Sequence, residues 1–314
     1  MKGGGDEQQE GSLGMGSVND YFAFPRQPWR LAMGLKPLSL EGWIEWGEGA
    51  EAQLRDKDRL LHSRYDELVA GLPGSESGQT LVLEHLMGHL CQHFPQHYQW
   101  HGGQLRSLST GQRWDPEAFA QPLDLAGRLV PEDLLLLQRD ETGDTPCFRL
   151  TAGSLCFPSH WCLREKLGLP LAEVHGPVPG YPQQLQSRVD SYVEHLRPDR
   201  PSWRLNWAIV DTPELCLCES TPSSPLVVQE EMELPPLWVR VERQTLRRLS
   251  DRDIVFTVRT YLRPLAHVAA IPDHAAGLAD HIRTMPTTTQ QYKRIQPMRD
   301  PLLAYLDRCA QTDA

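Results

Sequence analysis

Apolar and polar positions alternate with a helical period in the first half of the chain and with a strand-like period in much of the second. From Glu51 to Val69, Leu54, Leu61, Leu68 and Val69 stand among charged residues at near-helical spacing, and Thr80 to Phe94 repeats this with Leu83, Leu86, Met87 and Leu90. Two helices joined at Leu72-Pro73-Gly74 are predicted. The run Pro131-Glu132-Asp133-Leu134-Leu135-Leu136-Leu137 fits a helix opened by proline and two acids, or a strand after a turn. Beyond it, Cys147 to Phe157 reads as two short strands around a Gly153-Ser154 turn, and Trp161 to Leu167 as a short helix. Tyr181 to Leu196 reads as an amphipathic helix ending before Pro198. Three longer strands follow, Ser202 to Val210, Leu237 to Leu246 and Ile254 to Leu262.

The flanks differ. Residues 1–18, rich in Gly, Glu, Gln and Ser, cannot bury enough apolar surface to order and read as a disordered tail. Tyr21 to Gly47 is dense in aromatic residues, prolines and glycines and reads as an arm laid over a core formed elsewhere. The expected organisation is an arm and wrapping helices over 19–140, a core over 141–265 and a helical extension over 266–314. The class is α+β, an antiparallel sheet with helices on one face and a pocket for a small ligand between the layers.

With 31 Lys+Arg against 41 Asp+Glu, the formal charge of −10 argues against nucleic-acid binding through phosphates. Hydrophobic residues at 40% and charged residues at 23% suit a globular chain of 314 residues. No window reaches the roughly 18 apolar residues of a membrane span, and the N-terminus has no apolar signal core. The seven cysteines show no CxxC spacing, so reduced thiols and a cytoplasmic location are expected. Cys216-Leu-Cys218 puts two thiols on one strand face, which suits a metal but more commonly two small buried side chains.

Candidate chemistry rests on few positions. His85, His89, His93, His97 and His101 are spaced four apart, and an i, i+4 pair on a helix can chelate a transition metal. Pro95 breaks such a helix in its middle, and a solvated polar face is the ordinary reading. His175 lies in Val174-His175-Gly176-Pro177-Val178-Pro179-Gly180-Tyr181, a stiff loop able to aim one imidazole, as for a haem ligand, or merely a structural turn. In the long strands Arg204 and Asn206 share a face opposite Trp203, Leu205 and Trp207, and Arg240, Glu242 and Gln244 oppose Val239, Val241, Arg243 and Thr245. Arg259 lies between Val258 and Thr260. Such charge is either a solvated sheet surface or a polar wall toward a cofactor. GxGxxG after a strand, GxxxxGK[ST] and GxSxG are all missing, so an NADPH-using reaction needs a partner protein.

Leu31-Ala32-Met33-Gly34-Leu35-Lys36-Pro37-Leu38 with Trp43-Ile44-Glu45, Cys156-Phe157-Pro158-Ser159-His160-Trp161 through Glu165-Lys166-Leu167-Gly168, His175-Gly176-Pro177-Val178-Pro179, and Val241-Glu242-Arg243-Gln244-Thr245-Leu246 occur in this order. Together they resemble the haem-dependent oxidative N-demethylase family, in its haem-binding α subunit, from about Tyr21 to about Pro297. The resemblance implies a five-stranded Per-ARNT-Sim (PAS)-like sheet holding haem b. It also implies oxidation of dimethylamine to methylamine and formaldehyde with O₂. Electrons would come from NADPH through FMN and an iron-sulfur cluster on a partner reductase, and a folate-binding partner would take the one-carbon product. On this reading His175 ligates the iron, while Arg204, Trp161, Lys166, Arg259 and Thr245 contact the cofactor. Glu242, Arg243, Gln244 and Asn206 serve the reaction on the side facing the sheet, with Glu242, Trp207 and Tyr261 as partners for the amine cation. The alternative is a haem-based PAS gas or redox sensor without turnover.

Overall fold

A computed structural model describes residues 17–143, 146–218 and 236–311; most of the tail expected over 1–18 lies outside the described residues. In chain order, β1 (Lys36–Pro37) precedes α1 (Ala50–Leu68), β2 (Val69–Gly71) and α2 (Glu76–His93). A small sheet of β3 (Tyr98–His101), β4 (Gln104–Ser107) and β5 (Arg113–Trp114) leads to α3 (Pro122–Leu129), then to β6 (Asp133–Asp140) and β7 (Cys147–Ser154). Four short helices follow, α4 (Leu163–Lys166), α5 (Leu171–Val174), α6 (Tyr181–Gln184) and α7 (Gln186–Glu194). The long strands are β8 (Ser202–Val210), β9 (Trp238–Arg248) and β10 (Asp253–Pro264). The described chain closes with α8 (Leu265–Ala269), α9 (Pro272–Thr284), α10 (Thr287–Tyr292) and α11 (Arg299–Ala310).

The main sheet is antiparallel and has seven strands in the order β1-β8-β9-β10-β6-β7-β2, so the mixed antiparallel class expected from sequence holds. The five-stranded PAS-like sheet expected from the resemblance is not what forms: the sheet has seven strands, with β1, paired to β8 through Lys36 and Pro37, and β2, paired to β7, at its two edges. The ambiguous leucine run is strand β6: it lies between β10 and β7 and is buried on both faces, which removes the alternation that marks a strand. The Gly153-Ser154 turn does not form. Both residues belong to β7, where a Cβ on Gly153 would stand 2.7 Å from Leu163 and 2.8 Å from Leu135, so glycine lets α4 settle on the sheet. The helix expected over Tyr181 to Leu196 breaks at Leu185 into α6 and α7.

Helices cover both faces of the sheet, not one. On the first face Leu135, Leu137, Phe148, Leu150 and Ile254 meet Leu163, Leu171, Val193 and Leu196 from the α4–α7 segment. On the second face one cluster joins Val239, Val241 and Tyr261 to α8, α9, α11 and the aromatic arm. Another joins Leu134, Leu136, Ala152 and Val255 to Trp43, α2 and α3. The arm crosses α9 so closely that a Cβ on Gly277 would lie 1.9 Å from the Phe24 carbonyl oxygen.

Candidate functional site

Strand register sorts the candidate residues by face. Cross-strand neighbours point the same way, so Arg204 opposite Gln244 and Asn206 opposite Glu242 share the first face, beneath α4–α7. Leu246 and Phe256, paired across β9 and β10, continue that face. All six of these side chains are only half-buried, whereas Arg243, Thr245, Thr257 and Arg259 on the reverse of the same strands are buried at 1%, 0%, 0% and 0% exposure. The half-buried polar side chains of the first face gather opposite the α4–α7 segment and frame a candidate cleft there, although Trp203, Leu205, Trp207 and Arg247 on the second face are half-buried as well. Val174, Val189, Tyr192 and Trp161 add half-buried apolar surface from the helical side.

His175 sits at the mouth of this cleft. Pro170 caps α5, and His175 ends it with a backbone N–H bonded to the Leu171 oxygen; Gly176 and Pro177 then prevent continuation. The ring nitrogen Nδ1 lies 2.8 Å from the Leu171 carbonyl oxygen, and since a carbonyl only accepts, Nδ1 carries the proton. Nε2 is left as a lone pair with no hydrogen-bond partner among the described residues. Tyr181 stacks on the ring at 4.8 Å between centroids and 12° between planes, fixing its plane. Burial pushes the imidazole pKa down and the charges of Arg204 and Lys166 push the same way, with the Leu171 carbonyl opposing, so the ring is neutral. A neutral imidazole with one nitrogen tied to a backbone carbonyl is the arrangement a metal-ligating histidine adopts.

Beyond His175 the first face becomes a polar wall. The Glu242 carboxylate accepts from Arg240 Nε at 3.2 Å, Asn206 Nδ2 at 3.2 Å and Gln244 Nε2 at 3.0 Å. Lys293, from the turn after α10, donates to Trp207 O at 2.6 Å and Asn206 Oδ1 at 3.3 Å, and burial pushes its pKa down to about 8 against the pull of Glu242. Arg204 contrasts with these neighbours. Its Nε is buried without a partner, and burial depresses its pKa although Glu242 acts to raise it. It is a half-desolvated cation with free hydrogen-bonding capacity, facing His175 in one direction and Glu242 in the other.

The candidates from sequence therefore divide. His175, Arg204, Lys166, Asn206, Glu242 and Gln244 come together around the cleft, with Trp161 on its helical wall. Arg243, Thr245, Arg259, Trp207 and Tyr261 lie across the sheet with structural partners. Arg243 binds the Gly42 carbonyl at 2.5 Å and Glu45 at 3.2 Å; Arg259 binds Gln53 and, at 3.1 Å, the Glu48 carbonyl. Thr245 and Thr257 share a hydrogen bond at 2.6 Å, Tyr261 donates to Glu45 at 2.6 Å, and Trp207 packs edge-on to Phe24 at 5.5 Å. These side chains pin the arm and α1 to the second face, and the sheet separates them from the His175 cleft. Sequence reasoning missed three residues. Tyr181 closes the quoted loop motif and was visible there; Arg240 was read only as a face position; Lys293 lies 87 residues from Asn206 with no local signal.

The histidine stripe breaks as Pro95 requires: α2 ends at His93, His97 lies tilted against Trp46 at 4.5 Å between ring centroids in the following turn, and His101 is exposed on β3. Among the described residues no group of three or more His, Cys, Asp or Glu side chains is arranged to hold a metal ion. His89 departs from a solvated face, being only 6% exposed and packed edge-on to Trp43 at 5.3 Å. Cys216 and Cys218 stand side by side, Sγ to Sγ 3.3 Å, as free thiols.

Fold and site together define an α+β protein with a neutral, carbonyl-anchored imidazole and an unpaired guanidinium in a cleft between sheet and helices. The model of the haem-dependent oxidative N-demethylase, alpha subunit-like family matches residues 34–303, and the chain belongs to that family. The family carries haem dependence, an oxidative removal of N-methyl groups and an α subunit within a multi-subunit enzyme. Among the described residues no helix is long and apolar enough to cross a membrane.

Proposed function

We propose that this chain is the haem b subunit of a cytoplasmic monooxygenase that converts dimethylamine, or a similarly small secondary amine, to methylamine and formaldehyde. O₂ is the oxidant. Electrons arrive from an NADPH-dependent reductase subunit with FMN and an iron-sulfur cluster, and a folate-binding subunit takes the released one-carbon unit. The observation that carries this reading is the pairing, in one cleft, of His175 with a free Nε2 lone pair and Arg204 with an unpaired buried Nε.

The residues present fit haem by the chemistry of their donors. His175 Nε2 holds the iron, with its ring plane set by the Leu171 carbonyl and Tyr181. Arg204 and Lys166 are the cations available to propionate groups, and Leu246, Phe256, Val174 and Trp161 supply apolar walls for a macrocycle. When bound, haem supplies an iron centre able to activate O₂ for oxidation of an N-methyl group. The protein's own contribution is orientation and charge. Glu242 is the carboxylate that offsets desolvation of a methylammonium cation and takes its N–H proton. Asn206 and Gln244 both donate to Glu242, which holds it on the cleft face and leaves their remaining amide groups to orient the oxygen substrate. Lys293 fixes the Asn206 amide through its oxygen, so that Nδ2 points to Glu242.

The test is a product assay. Chain loaded with haem and mixed with dimethylamine, O₂ and a chemical or reductase electron donor that supplies two electrons per turnover yields formaldehyde and methylamine in equal amounts. A haem-loaded, reducible protein that consumes neither amine nor O₂ would leave a binding protein without turnover.

A further inference from the structure

A cavity of about 430 Å³ lies away from His175, on the second face, between α2, the turn at Leu40–Gly42 and the end of β9. Its lining includes Glu41, Glu84, His85, His89, His93 and Arg247. Two features set it apart from a solvated groove. His89 is 6% exposed yet lines the cavity, and its Nε2 is buried without a hydrogen-bond partner. Arg247, stacked on Trp43 at 4.3 Å, has Nε and Nη1 buried and unpaired, and Trp43 Nε1 behind it is unpaired as well.

Each of these orphaned groups is a hydrogen-bond donor or becomes one on protonation, and an unpaired buried donor costs about 1–3 kcal/mol. Burial depresses the Arg247 pKa, and burial followed by the charges of His93 and Arg247 drives His89 down to about 4 against the pull of Glu41. No hydrogen bond or ion pair to this guanidinium is seen among the described residues, whereas Arg243, Arg248 and Arg259 on the same strands each have acceptors for part of the group, although Nε of Arg243 and of Arg259 also lacks a hydrogen bond. The acids do not serve: Glu41 and Glu84 are exposed at the rim, and Glu41 already accepts from its own backbone and from Ser39. An anion seated at Arg247 would give an acceptor to the two lining residues with orphaned nitrogens, Arg247 and His89; Trp43 does not line the cavity. The rim acids disfavour a dianion and favour one negative charge, with any cationic end of the ligand turned outward to them. Gly88 forms part of the wall, and a Cβ there meets nothing within 4 Å, so the space beside α2 is open to a ligand.

We infer that this cavity is a second binding site, separate from the haem cleft, for a small organic monocarboxylate held by Arg247 and His89. It rests on the orphaned donors and the cavity alone and does not depend on the proposed N-demethylation.

The experiment follows the histidine side-chain resonances and melting temperature of the full-length chain during titration with sodium acetate, with sodium chloride at matched ionic strength and sodium phosphate as parallel arms. The expected result is a saturable shift of the His89 resonance and a rise in melting temperature in acetate that chloride does not produce. Arg247→Met should weaken the response at least tenfold. Gly88→Leu, which fills the cavity while keeping every donor and improves helix propensity, should abolish it without lowering stability. A linear, non-saturating response to acetate, equal responses to acetate and chloride, tighter binding of phosphate than acetate, or an unchanged response in Gly88→Leu would each overturn the assignment.

Discussion

Replacing Arg204 with methionine should move the haem-free and haem-loaded proteins in opposite directions. In the free protein Arg204 Nε is buried and unpaired, and an unsatisfied buried polar group costs about 1–3 kcal/mol. Arg204 is half-exposed, so screening by solvent puts its share near the low end, about 1 kcal/mol. Methionine keeps most of the apolar stem, and Glu242 retains Arg240 at 3.2 Å, so no new unpaired charge is created. Arg204→Met should therefore stabilise the haem-free chain by about 1 kcal/mol, roughly 1–2 °C for a chain of this size. In the loaded protein the same change removes a charge-assisted hydrogen bond to a propionate, about 1.5–3 kcal/mol, or a roughly 10- to 150-fold loss of haem affinity. Calorimetric melting of the haem-free variant and a haem titration followed by absorbance measure the two arms. A destabilised free protein with unchanged haem affinity would show that Arg204 is a structural residue and would refute the reasoning.

Three further outcomes follow from the two faces of the sheet. Glu242→Gln should raise KM for the amine by about tenfold or more while leaving the haem absorption bands in place, because it removes a charge from the cleft without touching His175; steady-state formaldehyde release measures it. Arg243→Met should lower folding stability by about 3–5 kcal/mol, since Glu45, at 8% exposure, loses its buried cation, while the protein that remains folded keeps the wild-type haem spectrum; urea unfolding and absorbance check both parts. Lys293 titrates at about 8 when folded against an ordinary 10.5, so between these values the unfolded chain holds a proton that the folded chain has released. Stability attributable to Lys293 should rise with pH across that window, and Lys293→Met should remove this increment when unfolding is compared at pH values on either side of it.

Much of the sheet was legible because β8, β9 and β10 carry the period-two pattern of elements with different faces. Ser202 to Val210 was read to the residue, and the alternation of Arg204 and Asn206 against Trp203 and Leu205 was assigned correctly. The pattern could not say which face bears the cofactor, because both faces carry arginines. Arg243 and Arg259 look solvent-facing by composition, yet they are buried because carbonyls of Gly42 and Glu48, about 200 residues away in sequence, accept their hydrogen bonds. The same long-range pairing explains why helices cover both faces when the order of elements suggested one. In β6, Leu134 to Leu137 gave no period because neighbours press on both sides. The His175 loop was conspicuous through its prolines and glycines, whereas Lys293 reaches Asn206 only through the tertiary path of the C-terminal helices.

The most direct measurement is the absorption spectrum of reduced, haem-loaded His175→Gly, taken with and without added imidazole. The glycine variant should lose the bands of the native ferrous protein and regain them when free imidazole occupies the vacated position. Native bands in the variant before any imidazole is added would mean that another side chain holds the iron, and the cleft described above would not be the haem site.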